Sequence, residues 1–242
     1  MILQKIKNII RWVVVLFFST TILAVVAYRF IPVCFTPLMF IRCFQQVADG
    51  ESITLHHHWV SMDKISPHMP VAVMASEDAR FLKHHGFDFG AIESAAKNNA
   101  RGGKVHGAST ISQQTAKNVF LWPGRSWTRK GFEVYFTFLI EMMWSKQRIM
   151  EVYLNSIEMG DGIYGVDAVA EYHFDKEAND LFRSECALIA ATLPNPRKFN
   201  SEHPSRYMRK RQRQIEHEMR FIPAFPKEGE DLDPNTAVGG YK

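Results

Sequence analysis

The sequence predicts a mainly α-helical protein, with a folded domain carried behind a membrane-spanning N-terminal helix. Three observations carry that reading. From Trp12 to Tyr28 there is no charged residue, and the run is rich in Val, Leu, Ile and Phe. Downstream, apolar residues recur at helical spacing in segment after segment, several of them entered through Ser, Thr or Asp and stopped by Gly or Pro. The alternation that marks half-buried strands is scarce.

The length of 242 residues accommodates one sizeable domain plus an anchor, and a hydrophobic share of 46% is enough to build a core rather than a disordered chain. A formal net charge of +4 favours anionic partners without choosing among phospholipid, nucleic acid and a pyrophosphate-bearing substrate. Three cysteines (Cys34, Cys43 and Cys186) make no disulfide framework, and no Cys/His spacing resembles a zinc site.

The apolar run lies near the lower limit for crossing a hydrocarbon core, where about 20 residues are usual. Lys5, Lys7 and Arg11 precede it, which predicts a cytoplasmic tail over 1–11, an anchor over 12–31 and the bulk of the protein outside. A cleaved signal peptide is the competing reading, but no small-x-small site follows at the right distance. Phe30 to Ile41 is uncharged too, and Pro32 and Pro37 are expected to break any helix there. Ala48 to Glu51 reads as a hinge into a domain over 50–222. His56, His57 and His58 are adjacent, so their side chains diverge, and surface histidines are expected rather than a metal site.

A helix is expected from about Val71, with Glu77 near its C-terminal end. Another runs over Phe87 to Ala100, with Asp88 as N-cap. The glycine-rich, basic stretch Arg101 to Ala108 is the best candidate for a mobile loop. Ser109 or Thr110 then caps a helix toward Val119, bringing Gln113, Gln114 and Lys117 within two turns. A long helix follows from about Trp127 to Lys146, apolar nearly all round between Val134 and Trp144, so central to a core or partly in lipid. Further helices are expected over Arg148–Asn155, Val166–Phe174, Arg183–Thr192 and the basic Arg206–Arg220, with a glycine-punctuated loop over Glu158–Gly165. Residues 223–242 read as a loose tail. The basic run is either a solvated helical face or a contact for anionic head groups.

Four segments carry the chemistry. Glu77-Asp78-x-x-Phe81-x-x-His84-x-Gly86 resembles the first signature of the peptidoglycan glycosyltransferases, the lysozyme-like family that polymerises lipid II. Gly107-Ala108-Ser109-Thr110-Ile111-Ser112-Gln113-Gln114, with Lys117-Asn118, is similar to the second. Arg129-Lys130-x-x-Glu133 and Ser145-Lys146-x-x-Ile149-x-Glu151-x-Tyr153-Leu154-Asn155 resemble the third and fourth. The likeness covers roughly Ile53 to Met219, in the family's order. Ala108 stands where glycine is frequent and Ser112 where threonine is common, both small departures. No Ser-x-x-Lys pattern follows the last of them that could serve a transpeptidase domain, and the expectation is a glycosyltransferase without transpeptidase activity.

The resemblance implies a lysozyme-like glycosyltransferase domain that joins C1 of a lipid-linked glycan to the 4-hydroxyl of lipid II, with undecaprenyl diphosphate leaving. By its motif Glu77 is the general base. Glu133 organises the diphosphate site, through neighbouring cations or as the one candidate ligand for Mg²⁺ or Mn²⁺. Lys117 and Arg125 match positions that hold donor phosphates, and Lys130 joins them. Ser109, Gln113 and Gln114 are expected to bind substrate, while Asn118 and Asn155 brace the helices around the cleft. The implied partners are lipid II, the lipid-linked strand, membrane lipid and other cell-wall synthesis proteins, without nucleic acid, at the bacterial inner membrane. Two rivals remain open: a lytic enzyme of similar shape, and a non-catalytic membrane-anchored scaffold.

Overall fold

The computed structural model describes residues 2–100, 109–226 and Glu230. The expected mobile loop over 101–108, including Gly107 and Ala108 of the second segment, lies outside them, as does nearly all of the expected C-terminal tail.

Helix α1 (Ile2–Tyr28) takes in the basic residues ahead of the apolar run and buries only Val25. Its 27 residues span about 40 Å at a rise of about 1.5 Å each, more than a hydrocarbon core of about 30 Å. It is long and apolar enough to cross a membrane. Its C-terminal end is fastened to the rest of the chain. The Trp144 indole N–H donates to the Val25 carbonyl at 2.8 Å. The Arg148 guanidinium donates to the carbonyls of Tyr28 and Ile31, groups that a helix end otherwise leaves without partners.

Pro37 does not break a helix; it starts one. Helix α2 (Pro37–Ala48) has Thr36 as N-cap, whose hydroxyl accepts from the Met39 N–H, and proline fits the first turn because the N–H it lacks would have no partner there. Met39 is buried, while Phe40, Phe44 and Val47 are exposed.

The body is built around helix α5 (Ile111–Phe120), which packs against α6 (Trp127–Met143) and α7 (Lys146–Ser156). On the other side, α3 (His68–Glu77) packs against α9 (Arg183–Ala190) and α10 (Arg206–Glu218). Phe81, Ile111, Ile140, Met150, Tyr153 and Leu154 are among the largest side chains in the shared core. Helix α4 (Phe89–Ala100) enters through Asp88, whose carboxylate accepts from the Ala91 N–H at 2.9 Å, as a cap should. Helix α8 (Val166–Phe174) has the bounds the sequence predicts.

Two expectations need correction. The helix expected to reach Lys146 stops at Met143, because Trp144 turns extended and the Ser145 hydroxyl accepts from the Arg148 N–H to cap the next helix. Between the two alternatives left open for α6, its apolar surface is divided: Phe136, Leu139 and Ile140 face the core, while Val134, Phe138 and Met142 are exposed. The second correction concerns the loop expected over Glu158–Gly165. It holds a tight hairpin, β2 (Glu158–Gly160) antiparallel to β3 (Ile163–Tyr164), and β1 (His56–His57) adds in parallel to β3. The histidine run thus becomes a sheet edge: His57 Nε2 meets the Asn155 carbonyl at 3.0 Å, and His58 lies 3.3 Å from Glu171.

Asn155 ties this layer to α7. Its amide oxygen accepts from the Val60 N–H and its amide nitrogen donates to the Val60 carbonyl, both at 2.9 Å, with nothing of Asn155 exposed. Gly165 has φ of 84°, and a Cβ there would stand 2.6 Å from the Asn155 carbonyl, so the chain can pass only as glycine. We expect Asn155→Ala to cost about 2–4 kcal/mol, since it strands a buried N–H and C=O together. A melting curve of the detergent-solubilised protein should fall by roughly 5–10 °C; an unchanged midpoint would remove Asn155 from this bracing role.

Candidate active site

Glu77 is the last residue of α3, half-buried, and its carboxylate accepts from two neighbours. Gln114 Nε2 donates to Oε2 at 3.0 Å and the Ser76 hydroxyl to Oε1 at 3.1 Å. The orientation of Gln114 is itself set from behind. Tyr153, fully buried, donates its hydroxyl to Gln114 Oε1 at 3.2 Å. Burial, and then the nearby Glu77 and Asp78 charges, push the Tyr153 hydroxyl well above the usual tyrosine range, so it keeps its proton and remains a donor. A tyrosine donor on one side leaves the amide N–H₂ to face Glu77.

The residue after Glu77 does structural work. Asp78, at the C-terminus of α3, accepts from the Ile111 N–H at 3.0 Å and sits 3.0 Å from His84 Nε2, joining α3, the following turn and the first turn of α5. Gly86 closes that turn against α6 with φ of 85°, and a Cβ there would stand 2.9 Å from Thr137 Cγ2. Below it lies a buried set in which the Ser112 hydroxyl donates to Glu141 and Lys146 pairs with the same carboxylate at 2.8 Å. Sequence reasoning quoted Asp78, His84 and Lys146 within motifs but gave them no task, and it passed over Glu141 in an apolar stretch.

One turn beyond Gln114, Lys117 shares its face of α5. Burial lowers its pKa below the ordinary lysine range; Glu133 and, more weakly, Glu77 raise it, and Arg129 and Lys130 lower it further. Both carboxylates therefore act on one ammonium. Glu133 is 3% exposed, with Arg129 Nη1 at 2.7 Å and the Lys130 ammonium on its other oxygen. Arg129, quoted in the third segment but given no role of its own, is 9% exposed, and its Nε has no hydrogen-bond partner. The i to i+4 spacing to Glu133 was the signal that could have found it.

A cleft of about 500 Å³ runs beside this face. Ser109, Gln114, Lys117, Asn118, Arg125 and Arg129 line it, with Arg125 exposed on the turn after α5. Glu77, Lys130 and Glu133 do not line it; Glu77 is joined to its wall by the hydrogen bond from Gln114, and Glu133 by its bond from Arg129. Gln113 is a correction. It was expected to bind substrate, but it is 4% exposed and its side-chain oxygen accepts from the Thr110 N–H at 3.0 Å, while Thr110 Oγ1 accepts from the Gln113 N–H. Thr110 and Gln113 form a capping box that starts α5. Asn118, expected as a brace, lines the cleft instead.

Both oxygens of Glu133 already meet cations, and among the described residues no group of three or more His, Cys, Asp or Glu could hold an ion. Among the described residues no side-chain set fits a Mg²⁺ or Mn²⁺ held by the protein alone.

The transglycosylase family model matches residues 45–220, from within α2 to just past α10. The chain belongs to the transglycosylase family. Among proteins similar to it is one from Bacteroides thetaiotaomicron named biosynthetic peptidoglycan transglycosylase, 62% identical over 224 residues that cover 93% of this chain and 90% of that protein. A protein of the same name from Bdellovibrio bacteriovorus is 50% identical over 93% of this chain and 89% of its own. A third, from Rhodospirillum centenum, is 52% identical over 81% and 83%. The matched stretch of this transglycosylase contains Glu77, the α5 face and the Arg129–Lys130–Glu133 cluster, while the anchor and the first turns of α2 lie ahead of it.

Proposed function

We propose that this transglycosylase polymerises lipid II into β-1,4-linked peptidoglycan strands and releases undecaprenyl diphosphate. The observation that carries the reading is the shared face of α5. There Gln114 holds the carboxylate of Glu77, and Lys117, one turn on, answers to both Glu77 and the Glu133 cluster. A base and a set of cations at two ends of one short surface suit a single inverting displacement. Glu77 takes the proton from the attacking 4-hydroxyl as its oxygen bonds to C1 of the donor, and the diphosphate leaves with the electrons of the broken C1–O bond. Lys117, Arg125 and Arg129 face the growing negative charge, the arginines able to grip two oxygens each. Glu133 holds Arg129 and Lys130 in place rather than touching substrate. Because diphosphate leaves readily once its charge is met by cations, a second carboxylic acid of the kind glycosidases use is not required. No step here runs through a metal.

Incubating the detergent-solubilised chain with labelled lipid II should give a ladder of glycan products and free undecaprenyl diphosphate. Fragments released from purified cell wall, with nothing made from lipid II, would instead support a lytic enzyme.

The proposed location is the bacterial inner membrane, crossed once by α1, with the N-terminus cytoplasmic and the catalytic domain periplasmic. Lys5, Lys7 and Arg11 ahead of the apolar run support it. A reporter that works only when exported, fused after Lys242, should be active; activity of a cytoplasm-only reporter at that position would reverse the topology.

A further inference from the structure

The cleft has a second polar end that the proposed chemistry does not use. Its wall there comes from α2, through Leu38 and Arg42, and from Glu158 at the start of β2. Arg42 lies ahead of the matched residues 45–220. Its guanidinium gives one bond to the Gln45 side chain at 2.8 Å, and its Nε is buried with no partner. Arg42 Nη2 pairs with Glu158 Oε2 at 3.6 Å, an ion-pair distance longer than a direct hydrogen bond. Glu158 is 5% exposed, with the Tyr164 hydroxyl at 3.5 Å. Burial raises its pKa, Arg42 offsets this, Asp161 adds to it, and Arg197 and a hydrogen bond from the Gly162 backbone offset it further. An arginine and a carboxylate that meet at ion-pair rather than hydrogen-bond distance, both on the wall of one cleft, leave each other room to bond a ligand placed against them.

The two ends differ in chemistry. Lys117, Arg125 and Arg129 present positive charge with their nearest carboxylate, Glu133, already paired. At the α2 end the buried Glu158 would repel a phosphate brought to Arg42. What suits that end is a neutral group that both accepts and donates hydrogen bonds.

We propose that Arg42 and Glu158 form a sugar subsite: the guanidinium donates to an acetamido carbonyl or hydroxyl oxygen of an N-acetylated sugar ring, and the carboxylate accepts from its hydroxyl or amide N–H. This rests on the proposed function and deepens it, because the juxtamembrane helix then becomes one wall of the substrate site rather than a connector.

The test uses the full-length chain in detergent with lipid II, comparing Arg42→Ala, Arg42→Lys, Glu158→Gln and, as a control away from the cleft, Gln214→Ala on the exposed face of α10. Loss of binding that is equal in ground and transition states raises KM and spares kcat. We expect KM for lipid II to rise roughly tenfold or more in Arg42→Ala and Glu158→Gln. Arg42→Lys should stay defective, because a compact ammonium lacks the planar fork, and the double variant should be no worse than the stronger single. A lipid-free tetrasaccharide of alternating N-acetylglucosamine and N-acetylmuramic acid, titrated by calorimetry, should bind wild type and Gln214→Ala and lose affinity by a similar factor in the other variants. KM within twofold of wild type in folded Arg42→Ala and Glu158→Gln, or a fall in kcat alone, would overturn the subsite. If wild type makes no glycan from lipid II, the proposed function fails, and the calorimetric arm still decides whether these two residues bind sugar.

Discussion

Glu77→Gln should lower polymerisation of lipid II by at least the roughly 10²- to 10⁴-fold typical of a lost acid–base group, with lipid II binding largely kept. The substitution preserves size and leaves the Ser76 hydroxyl and the Gln114 amide their hydrogen-bonding neighbour. What it removes is the capacity to take a proton from the acceptor hydroxyl. Because Asp78, and not Glu77, joins α3 to the first turn of α5, the fold has no stake in the change. Single-turnover rates and a binding isotherm measured on the same preparation separate the two effects. Near-wild-type turnover would reject Glu77 as the base.

Lys117→Met should reduce kcat/KM by roughly 10²- to 10³-fold, the scale of removing one preorganised donor from a developing negative charge. The pH profile gives a sharper reading. Burial lowers the pKa of Lys117, so the free enzyme loses this positive charge at a lower pH than an ordinary lysine would. The alkaline limb of kcat/KM should therefore fall early, since that ratio reports groups of the free enzyme. Lys117→Arg keeps its charge across the accessible range, so the limb should move up in pH even where the peak rate drops. A limb left in place by Lys117→Arg would assign it to another group and remove Lys117 from the diphosphate end.

Most helices were legible because their punctuation is local. Thr110, Ser145 and Asp88 sit where caps belong, and each is bonded to an N–H three residues on. Pro37 misled because proline serves both as a breaker and as a first-turn residue; the choice depends on Thr36 reaching the Met39 N–H, which spacing does not state. The strands stayed hidden because each is two or three residues long, too short for alternation to register. In the site, the carboxylates and cations could be read as residue types at motif spacing, but their partners could not. Tyr153 steers Gln114 across 39 positions, which only the folded chain shows, and the neighbouring glutamines divide, one into the cleft and one into a cap. The second glutamine was readable after all: Thr110-x-x-Gln113 is the pattern of a capping box.

The fastening of α1 bears on how the domain meets its substrate. Trp144 and Arg148 clasp the last turns of the apolar helix, and Thr21 meets Tyr135 at 2.9 Å deeper in it. On the proposed topology, a joint of this kind fixes the height and tilt of the cleft above the bilayer, where a loose tether would let both wander. A diphosphate carried on a lipid tail lives at one altitude, and a cleft parked there meets it by sliding in two dimensions. The advantage belongs only to substrates that share the plane. Unfastening α1 should handicap the enzyme toward long-tailed donors while leaving short, freely dissolved analogues almost indifferent.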